Sequence, residues 1–313
     1  MPAVPFKLPA TARLVQPSGD VQEDTANIAQ ALDELAYDQL APEVGTLLLA
    51  GSYTVNIPLV SGGKGKKFAV VRGIGSARIH YRGPRTTEPV LTFSGSTRHR
   101  VTVCSNLRID CQLNARGVAF KDLVYQTLGE NLYVYNSRQI GVYAENCDGS
   151  SLSKCMVEAF TGCGLVSPRW NAASMSCLRF GTQWGCWYAG ELPTSQRSQE
   201  VRDYEMARGK NAAEERYKEF YASDWPEELA ESDRGTMLMR GNVQELSNLI
   251  FERCQPCEYP LLSWTPSSAK LSGMYCEANN VRCAPVVVSG QAPGTGFGTS
   301  CVRLEQARYG YGS

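Results

Sequence analysis

Histidine is scarce in this chain: there are two, His80 and His99. That scarcity argues against His-rich metal sites and makes a Ser-His-Asp triad a poor expectation, so serine and cysteine hydrolase chemistry ranks low. An excess of one charge is also missing, because 31 Lys and Arg balance 31 Asp and Glu. A dedicated nucleic-acid binder carries a basic surplus, so that class drops out. No apolar run reaches the length of a bilayer span. The N-terminus, Met1-Pro-Ala-Val-Pro-Phe-Lys7, lacks the apolar centre of a secretion signal. No Asn-x-Ser/Thr acceptor occurs. The expectation is a chain made in a cytosol, with neither membrane nor nucleic acid as a partner and no cofactor.

Cysteine, by contrast, is plentiful at 12 residues. Cys155 and Cys177 are 22 apart, Cys163 and Cys186 are 23 apart, and Cys254 and Cys276 are 22 apart. These are repeat periods. They predict free thiols stacked on neighbouring rungs as small buried hydrophobes, the reduced state expected in a cytosol. Cys254-Gln-Pro-Cys257 has no second pair at zinc-ribbon spacing and no His nearby, so no metal site is expected there. Ser61-Gly-Gly-Lys-Gly-Lys-Lys67 places Lys67 where a phosphate loop needs Ser or Thr, so it reads as a basic turn.

The period itself is clearest from about 101 to 188. Tetrads starting at Gly117, Gly141, Gly164 and Gly185 begin 24, 23 and 21 residues apart. Between them run Asn106-Leu-Arg-Ile-Asp110, Asn131-Leu-Tyr-Val-Tyr135, Lys154-Cys-Met-Val-Glu158 and Ser176-Cys-Leu-Arg-Phe180. Each segment is too short for a stable helix and is bounded by turn formers, so each reads as a strand. One such unit cannot bury its own apolar side chains. Stacking at about 4.8 Å per rung lets Leu107 and Ile109, Leu132 and Val134, Cys155 and Val157 share one core. The alternate residues then form outward columns. The fold class that follows is an all-β solenoid, a parallel β-helix.

Ahead of the repeats, Asp24 or Thr25 can cap a short helix whose stripe is Ile28, Ala31, Leu32 and Leu35. It would cover the first strand edges. Residues 19–59, GDVQEDTANIAQALDELAYDQLAPEVGTLLLAGSYTVNIPL, resemble the opening motif of the pectate-lyase-like superfamily of right-handed β-helices. That group includes pectate-lyase-3-type enzymes, polygalacturonases and phage tailspikes. Ala50 stands where the motif usually has Pro, and Glu43-Val44-Gly45 where it has Gly-Gly. The resemblance implies the fold and leaves the reaction open.

The expected organisation is an extended arm over 1–18 and a β-helix over 19–313. The repeat breaks after Tyr188 and resumes at Thr236, with a charged, helical insertion at about 191–234. Within it, Asn211 and Asp224 are candidate helix caps, the latter with Pro226 in the first turn.

With so little histidine, the remaining chemistry is that of carboxylates, Tyr, Lys and Arg. One outward column carries Asp110, Tyr135, Glu158, Glu252, Glu277 and Glu305, flanked by Arg108, Arg179 and Arg303. Asp110 and Glu158, two rungs apart, are the candidate catalytic acid and base of an inverting glycosidase, in an exposed cleft. Tyr133, Tyr135, Trp170, Trp184 and Trp187 are the candidate sugar-stacking residues. Three classes stay open. The first is a tailspike-like virion protein, a homotrimer by expectation, that binds a host polysaccharide, with cleavage left open. The second is a non-enzymatic decoration or fibre protein. The third is a cellular polysaccharide lyase, hydrolase or epimerase.

Overall fold

The structure is a computed structural model. It describes residues 11–36, 44–63, 67–95, 100–181, 224–231, 234–242, 244–252, 254, 260–266, 268–277, 286–288 and 301–310. The first half runs β1 (Ala12–Val15), α1 (Val21–Ala36), β2 (Thr46–Val55), β3 (Leu59–Gly62), β4 (Val70–Tyr81), β5 (Pro89–Ser94), β6 (Thr102–Asp110), β7 (Arg116–Lys121), β8 (Thr127–Tyr135) and β9 (Ile140–Glu145). It continues with β10 (Ser151–Ser153), β11 (Met156–Glu158), β12 (Cys163–Arg169), β13 (Ala173–Ser176), β14 (Arg179–Gly181), β15 (Met237–Gly241) and β16 (Gln244–Glu252). The last strands are β17 (Leu262–Pro266), β18 (Ser268–Glu277), β19 (Val286–Val288) and β20 (Cys301–Gly310).

These strands form two sheets, and every pairing is parallel. Sheet A has 12 strands and sheet B has eight, and the chain alternates between them. This connectivity is consistent with a parallel β-solenoid. Residues 12–15, inside the stretch expected to be an arm, are instead the first strand of sheet A.

A long sheet A strand is two arms joined at one left-handed residue. Asn106 (φ 54°), Asn131 (54°), Lys154 (52°), Cys177 (55°), Asn248 (52°) and Gly273 (66°) hold that position rung after rung. Asn is favoured there because its short amide tolerates the left-handed region. Asn131 Nδ2 donates to Asn106 Oδ1 at 2.9 Å, so the turns are bonded to each other as well.

The Gly tetrads have a different cause. A Cβ on Gly117 would sit 2.1 Å from the Gly141 carbonyl oxygen, and one on Gly141 would sit 2.2 Å from Val157 Cγ1. Here glycine is required by close approach of the rungs. Gly185, the expected fourth member, lies outside the described residues. The strand that follows β12 in sheet B is β15, so residues 182–236 are interposed between β14 and β15.

The core lies between the sheets. Leu107, Ile109, Leu132, Val134 and Val157 are all buried in it, as the alternation predicts. Phe93 stacks on Phe120 at 5.5 Å and Phe180 on Phe251 at 5.3 Å, each pair in register on neighbouring strands. Cys155 and Cys177, and likewise Cys254 and Cys276, do not stack in register, while Cys186, the expected partner of Cys163, lies outside the described residues. Met156 pairs with Arg179, so Cys177 falls level with Lys154 at the exposed turn, and Cys276 pairs with Phe251. The coil advances 23 residues from Met156 to Arg179 and 25 from Phe251 to Cys276, so a spacing of 22 falls one position short at the first pair and three at the second. Cys104, Cys111, Cys147, Cys155, Cys163, Cys177, Cys254 and Cys276 are free.

Helix α1 packs Ile28, Ala31 and Leu32 into the same core. Each fully buried Ile or Leu contributes about 2 kcal/mol. Its N-cap is Asp20, earlier than expected: Asp20 Oδ1 accepts from the backbone N–H of Gln22 (2.8 Å) and Glu23 (2.9 Å). Asp24 has another task. It accepts from Ser18 N (2.7 Å), Ser18 Oγ (2.9 Å) and Thr54 N (3.0 Å), and so ties the helix to β2. No described helix is long and apolar enough to cross a membrane.

Candidate functional site: the outer face of sheet A

Parallel pairing with fixed register turns a sequence repeat into straight columns. On the second arms of sheet A one column reads Thr54, His80, Asp110, Tyr135, Glu158, Gly181, Glu252, Glu277. Its neighbour, two residues earlier, reads Ser52, Arg78, Arg108, Tyr133, Met156, Arg179, Ile250, Tyr275. The expected column is therefore present from Asp110 to Glu277. Glu305 is not in it, because it pairs with Ser272, and Arg303 pairs with Lys270.

The two acids do not face open solvent, which corrects the expectation of an exposed pair. Asp110 and Glu158 are both fully buried. The reason is lateral packing on the outer face. Tyr135 lies between them and is itself buried, with its ring stacked on Tyr133 at 4.7 Å. Burial, and then the negative charge of Asp110, push the Tyr135 hydroxyl well above its ordinary value.

Each carboxyl is met by donors. Asp110 accepts from Asn136 Nδ2 (3.0 Å), from Gln112 N (3.2 Å) and from Gln112 Nε2, and its Oδ2 lies 3.1 Å from His80 Nδ1. Glu158 accepts from the Tyr133 hydroxyl at 2.8 Å. Its other oxygen is 4.0 Å from Arg179 Nε, while Arg179 Nη2 reaches Glu252 at 2.6 Å across the gap left by Gly181. Two rungs separate Asp110 from Glu158, about 9–10 Å between backbones.

At the head of the column His80 bridges two groups. Its second nitrogen, Nε2, lies 3.1 Å from Ser52 Oγ. Ser52 is exposed, and His80 is 7% exposed.

Beside the columns an open groove of about 280 Å³ follows the left-handed turns. Asn106, Arg108, Asn131, Tyr133, Lys154 and Met156 are among its lining residues. It crosses four strands, about 14 Å. Amides, two cations and the Tyr133 ring share one shallow wall, with the exposed Arg108 and Lys154 at its rim.

No family model matches the chain, and no curated protein matches it. In fold it is similar to a solved protein, ORF18 of Geobacillus virus E2, with a TM-score of 0.50 over 93% of this chain and 13% identity. The match spans 61% of that protein, less than two thirds of its length.

Of the sequence-expected residues, Asp110, Tyr133, Tyr135 and Glu158 come together. Trp170 does not join them. It is a fully buried member of the core and offers no stacking face. Trp184 and Trp187 lie outside the described residues. His80 and Ser52 were missed. A signal existed: Ala77-Arg-Ile-His80 matches Leu107-Arg-Ile-Asp110 residue for residue in pattern, which sets His80 one rung from Asp110. A count of histidines carries no information about which side chains stack in register.

Proposed function

We propose that this chain is a right-handed parallel β-helix of the pectate-lyase-like type, with α1 as its N-terminal cap, and that it is a virion protein which binds a host-surface polysaccharide. The observation that carries the binding reading is the groove along Asn106, Arg108, Asn131, Tyr133 and Lys154. Sugars are held by planar amides, charged donors and one aromatic face, and here those groups repeat at the strand spacing. The similarity to a protein of a virus supports the virion reading. Assembly as a homotrimer belongs to the same proposal.

Binding of a panel of extracted bacterial capsules and lipopolysaccharides tests it. The expected result is saturable binding to one polymer by the wild type. Arg108→Ala and Tyr133→Ala, both at the groove wall, should each weaken it at least tenfold. Binding to none of the panel, or equal binding by both variants, removes the groove as the site.

A second reading, cleavage of the polymer itself, follows from Asp110 and Glu158 sharing one column. In it Glu158→Gln lowers turnover by about 10²–10⁴-fold. The burial of both carboxyls instead favours the first reading, in which the acids hold the face together.

A further inference from the structure

We infer that Ser52, His80 and Asp110 form a nucleophile–base–orienter relay that hydrolyses carboxylic esters, with acyl groups on sugar hydroxyls as the substrate class. The glycan part of this inference rests on the reading above; the relay stands on its own geometry. Ser52 Oγ lies 3.1 Å from His80 Nε2, and His80 Nδ1 lies 3.1 Å from Asp110 Oδ2. The three come from β2, β4 and β6, adjacent strands held by parallel register. Such a strand ladder keeps side chains at fixed separations, which is what a relay needs.

Burial grades along the relay in the useful direction. Asp110 is fully buried, His80 is 7% exposed and Ser52 is exposed. Asn136 and Gln112 occupy the Asp110 carboxylate from other sides, so it is fixed in place. With the carboxylate as acceptor, His80 carries its proton on Nδ1, and Nε2 is left as the acceptor for the Ser52 O–H. An exposed hydroxyl gains little stability from such a contact. It is, however, the one member of the three that a substrate has to reach.

The chemistry balances. The Ser52 Oγ–C bond forms at the ester carbonyl as the Ser52 proton passes to His80 Nε2. Negative charge gathers on the carbonyl oxygen, and Arg78, in register with Ser52 on the next strand, supplies a cation on that face. The ester C–O bond then breaks, and His80 returns the proton to the leaving alkoxide. Water adds to the acyl-Ser52 carbonyl with His80 again as base, releasing the carboxylic acid and restoring the Ser52 hydroxyl. One ester and one water become one alcohol and one acid, with no change of oxidation state. A hydroxyl on an open sheet face suits an acyl group displayed along a polymer.

The test uses the full chain, a fluorophosphonate probe and p-nitrophenyl acetate, then an O-acetylated bacterial polysaccharide. The expected result is a covalent adduct mapped to Ser52 by peptide mass. Its absence in Ser52→Ala should accompany a 10²–10⁴-fold loss of ester hydrolysis. Ser52 is exposed, so this variant keeps the fold, which unfolding by circular dichroism verifies. Asp110→Asn is the positioning variant. It should slow hydrolysis and alter the pH–rate profile while Ser52 is still present. A folded wild type with no adduct on Ser52, or Ser52→Ala hydrolysing at the wild-type rate, overturns the relay. If the relay acts on the small ester but the polysaccharide is neither bound nor deacetylated, the glycan reading falls and the relay stands. If the polysaccharide is bound and no adduct forms, the reverse holds.

Discussion

The outer faces of the two sheets solve the same problem differently. Both must cover a pleated surface whose inner side is already in the core. Sheet B is covered by another part of the chain. Trp225 and Leu229, from the segment that returns to β15, lie on Ile140, Cys163, Val166 and Leu238. That cover is pinned at its edge by charge. Arg138 pairs with Asp224 at 3.0 Å, Thr161 Oγ1 donates to Asp224 at 3.1 Å, and Arg116 meets Glu228 at 2.6 Å. Asp224 is therefore engaged with β9 and its neighbours, and residues 224–230 form a turn where a helix start was expected. Sheet A is covered over its second arms by its own side chains. Asp110, Tyr135 and Glu158 are buried under one another and under their partners. An apolar face needs a lid. A polar face can bury itself when each acceptor finds donors on the next rung.

Removing one acceptor from the self-covered face should have the largest effect. Asp110→Ala leaves donors from His80, Gln112 and Asn136 inside the face without it. Urea unfolding should show a loss of about 4 kcal/mol. A change under 1 kcal/mol would mean that solvent already enters this face. This outcome is opposite to the one expected of an exposed acid.

Removing the lid of the other face should cost somewhat less. Trp225→Ala exposes Ile140, Val166 and Leu238 and should lower stability by about 3 kcal/mol. Cysteine reactivity separates the two effects. Cys163 lies under the sheet B lid and Cys111 beside Asp110. Trp225→Ala should speed alkylation of Cys163 and leave Cys111 protected; Asp110→Ala should do the converse.

The last effect is confined to alkaline pH and is absent near neutrality. Burial pushes the thiols of Cys147, Cys155 and Cys163 up to about 12, and that of Cys276 to about 11, from 9.0. The folded state thus holds these protons more tightly than the unfolded state. The stabilisation is fully present below about pH 9 and is lost as pH rises towards 12. The urea midpoint should be flat from pH 7 to 8.5 and fall above it. In the native protein the exposed Cys177 should be alkylated first, ahead of the seven buried described cysteines. A midpoint unchanged to pH 11 would place these thiols in water.

Local pattern was enough for the strand arms, the parallel stacking, the inward residues such as Leu107 and Ile109, and the amphipathic helix. Each depends on spacing along a short stretch, and a period of two or 3.6 survives in any context that buries one face. The column of Asp110, Tyr135 and Glu158 was legible for the same reason, since a constant rung length converts period into alignment. What the chain alone did not decide was depth. Whether a residue pointing away from the core meets water depends on what the neighbouring rungs place around it. Asp110 and Glu158 are buried through side chains 25 residues away or further, such as those of Asn136 and Tyr133. Trp170, just ahead of the turn at 171–172, is inside the core. The join of Ser52, His80 and Asp110 likewise exists only in register: 28 and 30 residues of chain separate its members, and parallel strand pairing brings them within 3.1 Å.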